Sequence, residues 1–208
     1  MVPVSPVPPL RGAGGGPATA GATKVARMSA RLVVLVSGAG TNLQALLDAQ
    51  LPVVAVASNR CDAPALARAG AIPTAAFELA DYADRVDRDA AMAEWLLAHD
   101  VRLVVLAGYM HLLTPAFLDR FPNAVVNVHP SLLPQFPGAH AVEEQLEAGV
   151  SESGATVRLV DGGVDSGPVL AQERIAVRDD DTPETLHQRI KEIEHRLLPR
   201  VVEELCAR

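Results

Sequence analysis

The central stretch of the sequence is Asn127-Val128-His129-Pro130-Ser131-Leu132-Leu133-Pro134, which follows the apolar run 124–126. If that run is a buried strand, the alternation of side chains puts Asn127 and His129 on one side of it. Pro130 has no N–H for the sheet and two further prolines stiffen the loop, so we expect the strand to end at His129. Ligands collect at the carboxyl ends of strands in open α/β sheets, and an amide and an imidazole there indicate a site. The simpler alternative is that both side chains only satisfy backbone groups where the strand ends.

The rest of the chain alternates strand-like and helix-like segments, which predicts a Rossmann-like α/β fold with a mostly parallel central sheet flanked by helices. The short link between the last two strand-like runs predicts an antiparallel strand pair in the C-terminal half. We expect strands at 31–36, 52–58, 72–76, 103–107, 124–129, 154–160 and 169–177. We expect helices at 43–47, 65–69, 82–99, 142–148 and 182–205, a further helix from Pro115, and a candidate kink at Pro199.

Composition limits the class of protein. The 208 residues, 49% of them hydrophobic, suffice for one sizeable core but are short for two, so we expect one domain over 31–208. A net charge of −7 and an aromatic content of 3% argue against nucleic-acid binding. No apolar run approaches the roughly 20 residues needed to span a bilayer. Cys61 and Cys206 fit free thiols in a reducing compartment, so we expect a soluble cytoplasmic protein, monomeric or homodimeric, with small-molecule partners.

Residues 1–30 are rich in proline, glycine and alanine and contain little to bury, which predicts a disordered N-terminal extension. They lack the apolar core of a signal peptide. Met28 lies just before the first strand-like run, so translation could begin at Met1 or at Met28.

A glycine-rich turn, Ser37-Gly38-Ala39-Gly40-Thr41-Asn42, connects the first strand to the first helix. Backbone N–H groups and the positive helix end can surround a phosphate there. The third glycine of the dinucleotide pattern would fall at Leu43, and the Lys-Ser or Lys-Thr of a P-loop is missing. The turn therefore favours a single phosphate monoester, with a tight turn that needs small residues for packing as the alternative.

Three other features lie near strand or helix ends. Residues 161–168 contain Asp161 and Asp165 among three glycines, although Asp-Gly usually only forms a turn. Residues 108–113 form an apolar loop, which is typical of a wall for a flat ligand or of core filling. Arg85 could meet a carboxylate or lie on a solvated helix face.

Four motifs together resemble the phosphoribosylglycinamide formyltransferase family, in the family's order and spacing over about 31–201. They are Ser37 to Gln44, Leu106-Ala107-Gly108-Tyr109-Met110, Asn127 to Pro134, and Val164-Asp165-Ser166-Gly167-Pro168. The third motif with the later aspartate is typical of transferases that use 10-formyltetrahydrofolate. The glycine turn with Thr41-Asn42 narrows the resemblance to the glycinamide ribonucleotide enzymes.

The resemblance implies transfer of a formyl group from 10-formyltetrahydrofolate to the primary amine of glycinamide ribonucleotide in purine synthesis, without a metal. By similarity, Gly40, Thr41 and Asn42 hold the substrate phosphate, while Lys191 and Glu194 contact the ribonucleotide. The implied folate contacts are Arg85, Met110, His111, Leu112, Leu113 and Asn127. His111 departs from the family, which commonly has arginine at that position.

Formyl transfer to an amine requires stabilisation of an oxyanion and protonation of the leaving nitrogen. Asn127 can donate to the oxyanion, an interaction typically worth ~3 kcal/mol. His129 can donate as an imidazolium, which a nearby carboxylate would stabilise at neutral pH. Asp165 is the expected carboxylate, and it could order a water that carries the proton from the amine to the leaving nitrogen.

Three alternatives remain. A formyltetrahydrofolate deformylase uses the same three residues with water as acceptor, but it usually carries an N-terminal regulatory domain. A methionyl-tRNA formyltransferase would need a C-terminal RNA-binding domain and a basic surface, whereas this chain is acidic. A non-catalytic folate- or nucleotide-binding module could share the fold, although a binder has no use for a proton-transfer trio.

Overall fold

The structure is a computed structural model that describes residues 31–207. The predicted disordered extension, both candidate start methionines and Arg208 lie outside the described residues. A seven-stranded sheet forms the centre, in the spatial order β3-β2-β1-β4-β5-β6-β7. The strands are β1 Leu32–Val36, β2 Val53–Ser58, β3 Thr74–Ala76, β4 Leu103–Leu106, β5 Val125–His129, β6 Glu152–Leu159 and β7 Val169–Ala176.

The first five strands are parallel, whereas β6 is antiparallel to both β5 and β7. The predicted fold class is therefore confirmed, including the antiparallel pair near the C-terminus. Five α-helices connect the strands of the described chain and a sixth follows β7, with a short 3-10 helix at Leu79–Asp81. The helices are α1 Thr41–Asp48, α2 Pro64–Arg68, α3 Arg85–Ala98, α4 Pro115–Leu118, α5 Ala141–Glu147 and α6 Pro183–Cys206.

Helix boundaries follow the capping residues. Asp84 accepts hydrogen bonds from the N–H groups of Val86 and Asp87, so α3 begins at Arg85 rather than at the predicted residue 82. Thr182 and Thr185 form a reciprocal capping box at the start of α6. That helix continues without interruption through Pro199, which is buried.

Two hydrophobic cores lie on opposite faces of the sheet. The first packs α1, α2, α5 and α6 against alternate residues of the strands, among them Val126 and Val128 of β5. The second packs α3 and α4 against the other residues, including Val125. Strands with both faces covered are apolar throughout, as β1 and β4 are.

The carboxyl ends of β1, β4 and β5 lie side by side at one edge of the sheet, because these strands are parallel neighbours. The edge therefore brings together the glycine turn after β1, the apolar loop after β4 and the end of β5. Ser37 joins the first two, since its N–H donates to the Gly108 carbonyl and its Oγ accepts from the Met110 N–H.

Candidate active site

The end of β5 presents a polar face formed by two strands. Asn127 and His129 point away from the first core, because Val126 and Val128 between and beside them pack into it. On the antiparallel neighbour, Arg158 lies opposite Asn127 and Thr156 lies opposite His129. Directly opposite residues of an antiparallel pair share a face, so four polar side chains converge here. Strand β5 ends at His129, as predicted.

His129 is buried and both of its ring nitrogens face acceptors. Nε2 lies 2.8 Å from the Phe136 carbonyl oxygen, and Nδ1 lies 3.4 Å from Oδ2 of Asp165. A carbonyl can only accept, so Nε2 carries a hydrogen. The Asp165 carboxylate faces the second ring nitrogen, so the structure brings together the imidazole and the carboxylate that the sequence predicts as partners.

Asp165 is held from three directions. The Gly138 N–H donates to Oδ2 at 2.8 Å, and the Arg158 guanidinium donates to Oδ1 at 2.7 Å, while His129 faces Oδ2. Burial on its own raises the pKa of Asp165. The Gly138 hydrogen bond and the charges of His129 and Arg158 outweigh burial, so the pKa lies below its usual value and the carboxylate form is favoured.

Asn127 is half-buried, and within residues 31–207 its side-chain amide has no hydrogen-bond partner. An amide without a protein partner at the mouth of a site is available to a ligand. The structure therefore brings together the three residues that the sequence analysis selected for chemistry.

The sequence pattern does not identify Arg158 as a site residue. It lies in the predicted strand 154–160, but its position opposite Asn127 depends on the register between β5 and β6. Alternation alone assigns Arg158 to one of two faces and does not say which of them carries the site.

Polar side chains, two of them buried, fix the loop after β5. Thr156 Oγ1 donates to the Ser131 carbonyl at 2.6 Å and accepts from the Leu133 N–H at 3.1 Å. Ser131 Oγ donates to the carbonyl of Gln135 at 2.7 Å, and Gln172 Nε2 donates to that of Leu133 at 2.7 Å. The rigid loop that the prolines predict is thus also held by side chains from β6 and β7.

The glycine turn adopts a conformation that only glycine fits well. Gly40 has φ of +72°, in the left-handed region, and a Cβ on it would lie 2.5 Å from Cβ of Ala65. Helix α1 starts at the next residue, so the N–H groups of Thr41, Asn42 and Leu43 have no partner inside the helix. Such groups, together with the helix dipole, suit an anion.

The two residues predicted to contact the ribonucleotide lie one turn apart on α6. Glu194 is buried and accepts a hydrogen bond of 2.8 Å from Asn42 Nδ2, which joins α6 to the start of α1. Burial raises the pKa of Glu194, opposed by that hydrogen bond and by the charge of Lys191. Lys191 is half-buried, and within the described range it forms no ion pair.

The predicted folate residues form a surface beside β4. Arg85 donates to the Leu112 carbonyl at 2.9 Å, so α3 and the loop meet there. Met110 and Leu112 are 63% and 54% exposed, which leaves an apolar surface open to a ligand. Leu113 is instead buried in the second core, and any ligand contact it makes would use its backbone.

His111 is engaged by the protein through both ring nitrogens. Nδ1 lies 2.5 Å from an Arg88 nitrogen, and Nε2 lies 3.2 Å from Asn59 Nδ2. Burial and the charges of Arg88 and Arg85 lower the pKa of His111, so the ring is held neutral. Arg88 is itself fully buried and paired with Asp89 at 2.6 Å. The sequence pattern does not reveal this pair.

Residues 31–207 contain neither a candidate metal site nor a membrane-spanning helix. No group of three or more His, Cys, Asp or Glu side chains has the geometry to hold a metal ion. No helix in this range is long and apolar enough to cross a membrane. Cys61 and Cys206 are free thiols, as predicted.

Residues 30–202 match the family model described as formyl transferase. The chain is 48% identical to a phosphoribosylglycinamide formyltransferase of Mycobacterium tuberculosis over 183 residues, which cover 85% of both chains. It is 37% identical to the protein of the same name from Bacillus subtilis, covering 84% of this chain and 94% of that protein. A solved glycinamide ribonucleotide transformylase 1 of Symbiobacterium toebii superposes with a TM-score of 0.83 at 44% identity, covering 85% of this chain and 87% of the other.

Proposed function

The chain belongs to the formyl transferase family, and on that premise we propose that it transfers the formyl group of 10-formyltetrahydrofolate to the primary amine of glycinamide ribonucleotide. The products are formylglycinamide ribonucleotide and tetrahydrofolate, in de novo purine synthesis. Relatives at 37–48% identity that carry the phosphoribosylglycinamide formyltransferase name support this assignment. The observation that carries most weight is the pairing of His129 with Asp165 at 3.4 Å beside the unpartnered amide of Asn127.

The ribonucleotide would lie along the carboxyl edge of the sheet. Its phosphate would accept from the N–H groups of Gly40, Thr41 and Asn42, and Lys191 and Glu194 would contact the ribose side. From β1 to β5 is two strand spacings, or roughly 10 Å. A ribose with its glycinamide arm can bridge that separation, which would bring the amine to His129.

The folate would lie on the apolar surface after β4. Met110, Leu112 and the backbone of Leu113 would contact its flat ring system. His111 lies in the same loop, and Arg85 donates to the loop at the Leu112 carbonyl. The Arg85 guanidinium would then be near the folate carboxylates. Asn127 lies on β5, paired with Leu106 at the end of β4, and so next to the position proposed for the formyl group.

In the reaction, the neutral amine attacks the formyl carbon and a new C–N bond forms. The carbonyl oxygen becomes an oxyanion, to which Asn127 donates, worth about 3 kcal/mol for such a donor. His129 donates as an imidazolium stabilised by Asp165, which requires its Nε2–H to exchange the Phe136 carbonyl for the formyl oxygen. The amine proton passes to the folate nitrogen, by way of a water ordered at Asp165, and the C–N bond to the folate breaks.

Further properties of the protein belong to the same proposal. The continuous sheet supports one catalytic domain starting at residue 31. The co-substrate is 10-formyltetrahydrofolate and no metal takes part. We propose a cytoplasmic location, small-molecule partners without nucleic acid or membrane, and a monomer or homodimer.

The test mixes the purified protein with 10-formyltetrahydrofolate, with and without glycinamide ribonucleotide, and follows the absorbance change as the folate loses its formyl group. Turnover that requires the ribonucleotide and collapses in His129→Ala and in Asp165→Asn supports the proposal. Matched controls are His99→Ala, whose ring bonds to the Trp95 carbonyl, and Asp62→Asn in an exposed ion pair. Folate consumption without the amine would indicate a deformylase, and no turnover by the folded protein would leave a binding module.

A further inference from the structure

Arg158 is a buried arginine at the active-site face with no part in the reaction described above. Its side chain is 5% exposed, and it lies opposite Asn127 across the β5–β6 pair. One terminal nitrogen donates to Asp165 Oδ1 at 2.7 Å and the other donates to the Leu159 carbonyl at 3.0 Å. Burial of a guanidinium is costly unless it is paired, so this contact is part of how the site is built.

The contacts of Asp165 divide its two oxygens. Oδ1 is taken by Arg158, whereas Oδ2 receives the Gly138 N–H and faces His129. No helix or strand fixes the orientation of the Asp165 carboxylate, because Asp165 lies in an irregular loop with φ of +50°. The side-chain contacts therefore determine which oxygen faces the imidazole.

The loop is shaped to approach Arg158 closely. A Cβ on Gly167 would lie 2.0 Å from the Leu159 carbonyl oxygen and 3.3 Å from an Arg158 terminal nitrogen. Only glycine permits that approach, so the 160–168 loop and the guanidinium pack as one unit.

We infer that Arg158 is a positioning residue for the proposed formyl transfer: it occupies Oδ1 of Asp165 and thereby keeps Oδ2 turned toward His129. The inference rests on the proposed function for its catalytic consequence and on the contacts above for its structure. Arg158 acts through Asp165, and it also supplies a fixed positive charge next to the carboxylate.

The charges around Asp165 set the sign of the effect. His129 faces Asp165 from β5, and Arg158 faces it from β6. Asp161 lies in the same loop as Asp165 and also interacts with the charge of Arg158. Loss of the Arg158 charge and hydrogen bond would raise the pKa of Asp165, because burial then meets less opposition. As the pH falls, activity that needs the ionised carboxylate would therefore be lost at a higher pH than in the parent protein.

The experiment compares Arg158→Met and Arg158→Lys with the parent protein over a range of pH. For Arg158→Met we expect kcat to fall on the order of tenfold, part of what a positioned acid–base pair contributes. KM for both substrates should stay within about twofold, and the acid limb of kcat should move to higher pH. Arg158→Lys keeps the charge and should leave that limb in place. Arg174→Met, in an exposed pair with Glu152 on the neighbouring strands, is the control and should change none of these values.

A double-mutant cycle with Asp165→Asn separates positioning from a general structural role. If Arg158 acts through Asp165, then Arg158→Met should have little further effect on kcat in the Asp165→Asn background. An equal fold-loss in both backgrounds, or an acid limb that does not move, would overturn the inference.

A carboxyl carbon-13 NMR titration of Asp165 tests the inference without activity. The titration midpoint should lie at higher pH in Arg158→Met than in the parent, and in Arg158→Lys it should stay near the parent value. Unchanged midpoints in both variants would contradict the inference even if the parent protein is active. The midpoint could be raised in Arg158→Met although the parent protein never turns over the ribonucleotide. That result would count against the proposed function alone.

Discussion

Asp165 reaches His129 from a loop that leaves the sheet at the far end of the strand pair. Strand β6 runs antiparallel to β5, so its last residues lie opposite Val126 and not opposite the end of β5. The 160–168 loop nevertheless brings Oδ2 of Asp165 to 3.4 Å from Nδ1 of His129. The candidate acid–base pair is therefore assembled by a loop that crosses the polar face, and its function depends on the contacts that hold this loop.

Asp165→Asn should lower kcat by about a hundredfold, because an amide cannot stabilise the His129 imidazolium by charge. The pKa of Asp165 lies below its usual value, since Gly138, His129 and Arg158 outweigh its burial. In the parent, kcat should therefore be maintained above that lowered pKa and fall as the pH drops through it. A pH–rate profile of the parent and variant is the measurement. A variant within twofold of the parent, with the same acid limb, would exclude this role for Asp165.

Gly40→Ala should destabilise the protein and weaken binding of the ribonucleotide. The left-handed backbone costs about 1–2 kcal/mol for alanine, and overpacking typically adds 1–3 kcal/mol. A Cβ there would be 2.5 Å from the Ala65 Cβ and 2.8 Å from its Cα. Gly38→Ala is the matched control, because a Cβ on Gly38 has no neighbour within 4 Å. Thermal unfolding and KM for glycinamide ribonucleotide measure both effects, and equal behaviour of the two variants would contradict the prediction.

Local sequence pattern was sufficient for the order of the elements and for the two residues on β5. Apolar runs set the strands, glycine and proline set their ends, and alternation put Asn127 and His129 on one face. The pairing of His129 with Asp165 was reached through the resemblance and the chemistry of the reaction, since the Asp-Gly pattern by itself indicates only a turn.

Contacts that depend on register and on buried charge were not predictable. Arg158 lies opposite Asn127 only because β5 and β6 pair in one register, which no local pattern encodes. Arg88 and Asp89 occupy a helix that reads as amphipathic with charged residues, yet both are fully buried. Sequence periodicity treats a charged residue as solvated, and only the packing of α3 against the apolar loop shows otherwise.

Arg88→Met should destabilise the fold by about 3–5 kcal/mol, the usual cost of leaving one member of a buried pair unpaired. Asp89 would keep the hydrogen bond of 2.7 Å that it accepts from the Thr114 N–H, but it would lose its ion pair with the guanidinium. His111 would lose its contact to Arg88, so the apolar surface at Met110 and Leu112 should loosen and KM for the folate should rise. Denaturant unfolding and steady-state kinetics are the measurements.

The control for Arg88 is Arg60→Met, which removes one side of an exposed pair with Asp62. Screening by solvent makes such a pair contribute little, so its unfolding midpoint should stay near that of the parent. The double variant Arg88→Met/Asp89→Asn should recover part of the stability, because no uncompensated charge remains. Equal unfolding midpoints for Arg88→Met and Arg60→Met would show that the buried pair has no special cost.

Glu194→Gln should separate stability from substrate binding. Burial raises the pKa of Glu194 despite the Asn42 hydrogen bond and the Lys191 charge, so the folded state takes up a proton that the unfolded state releases more easily. Stability linked to this group is fully present below its unfolded pKa and is lost as the pH rises through the folded pKa. The thermal midpoint of Glu194→Gln should therefore rise relative to the parent over that interval, since the amide can still accept from Asn42. KM for the ribonucleotide should increase on the order of tenfold, because a charged contact is lost. Glu192→Gln is the control, since Glu192 is exposed on the same helix. Parallel curves of thermal midpoint against pH for the parent and Glu194→Gln would show that the buried carboxyl does not titrate with folding.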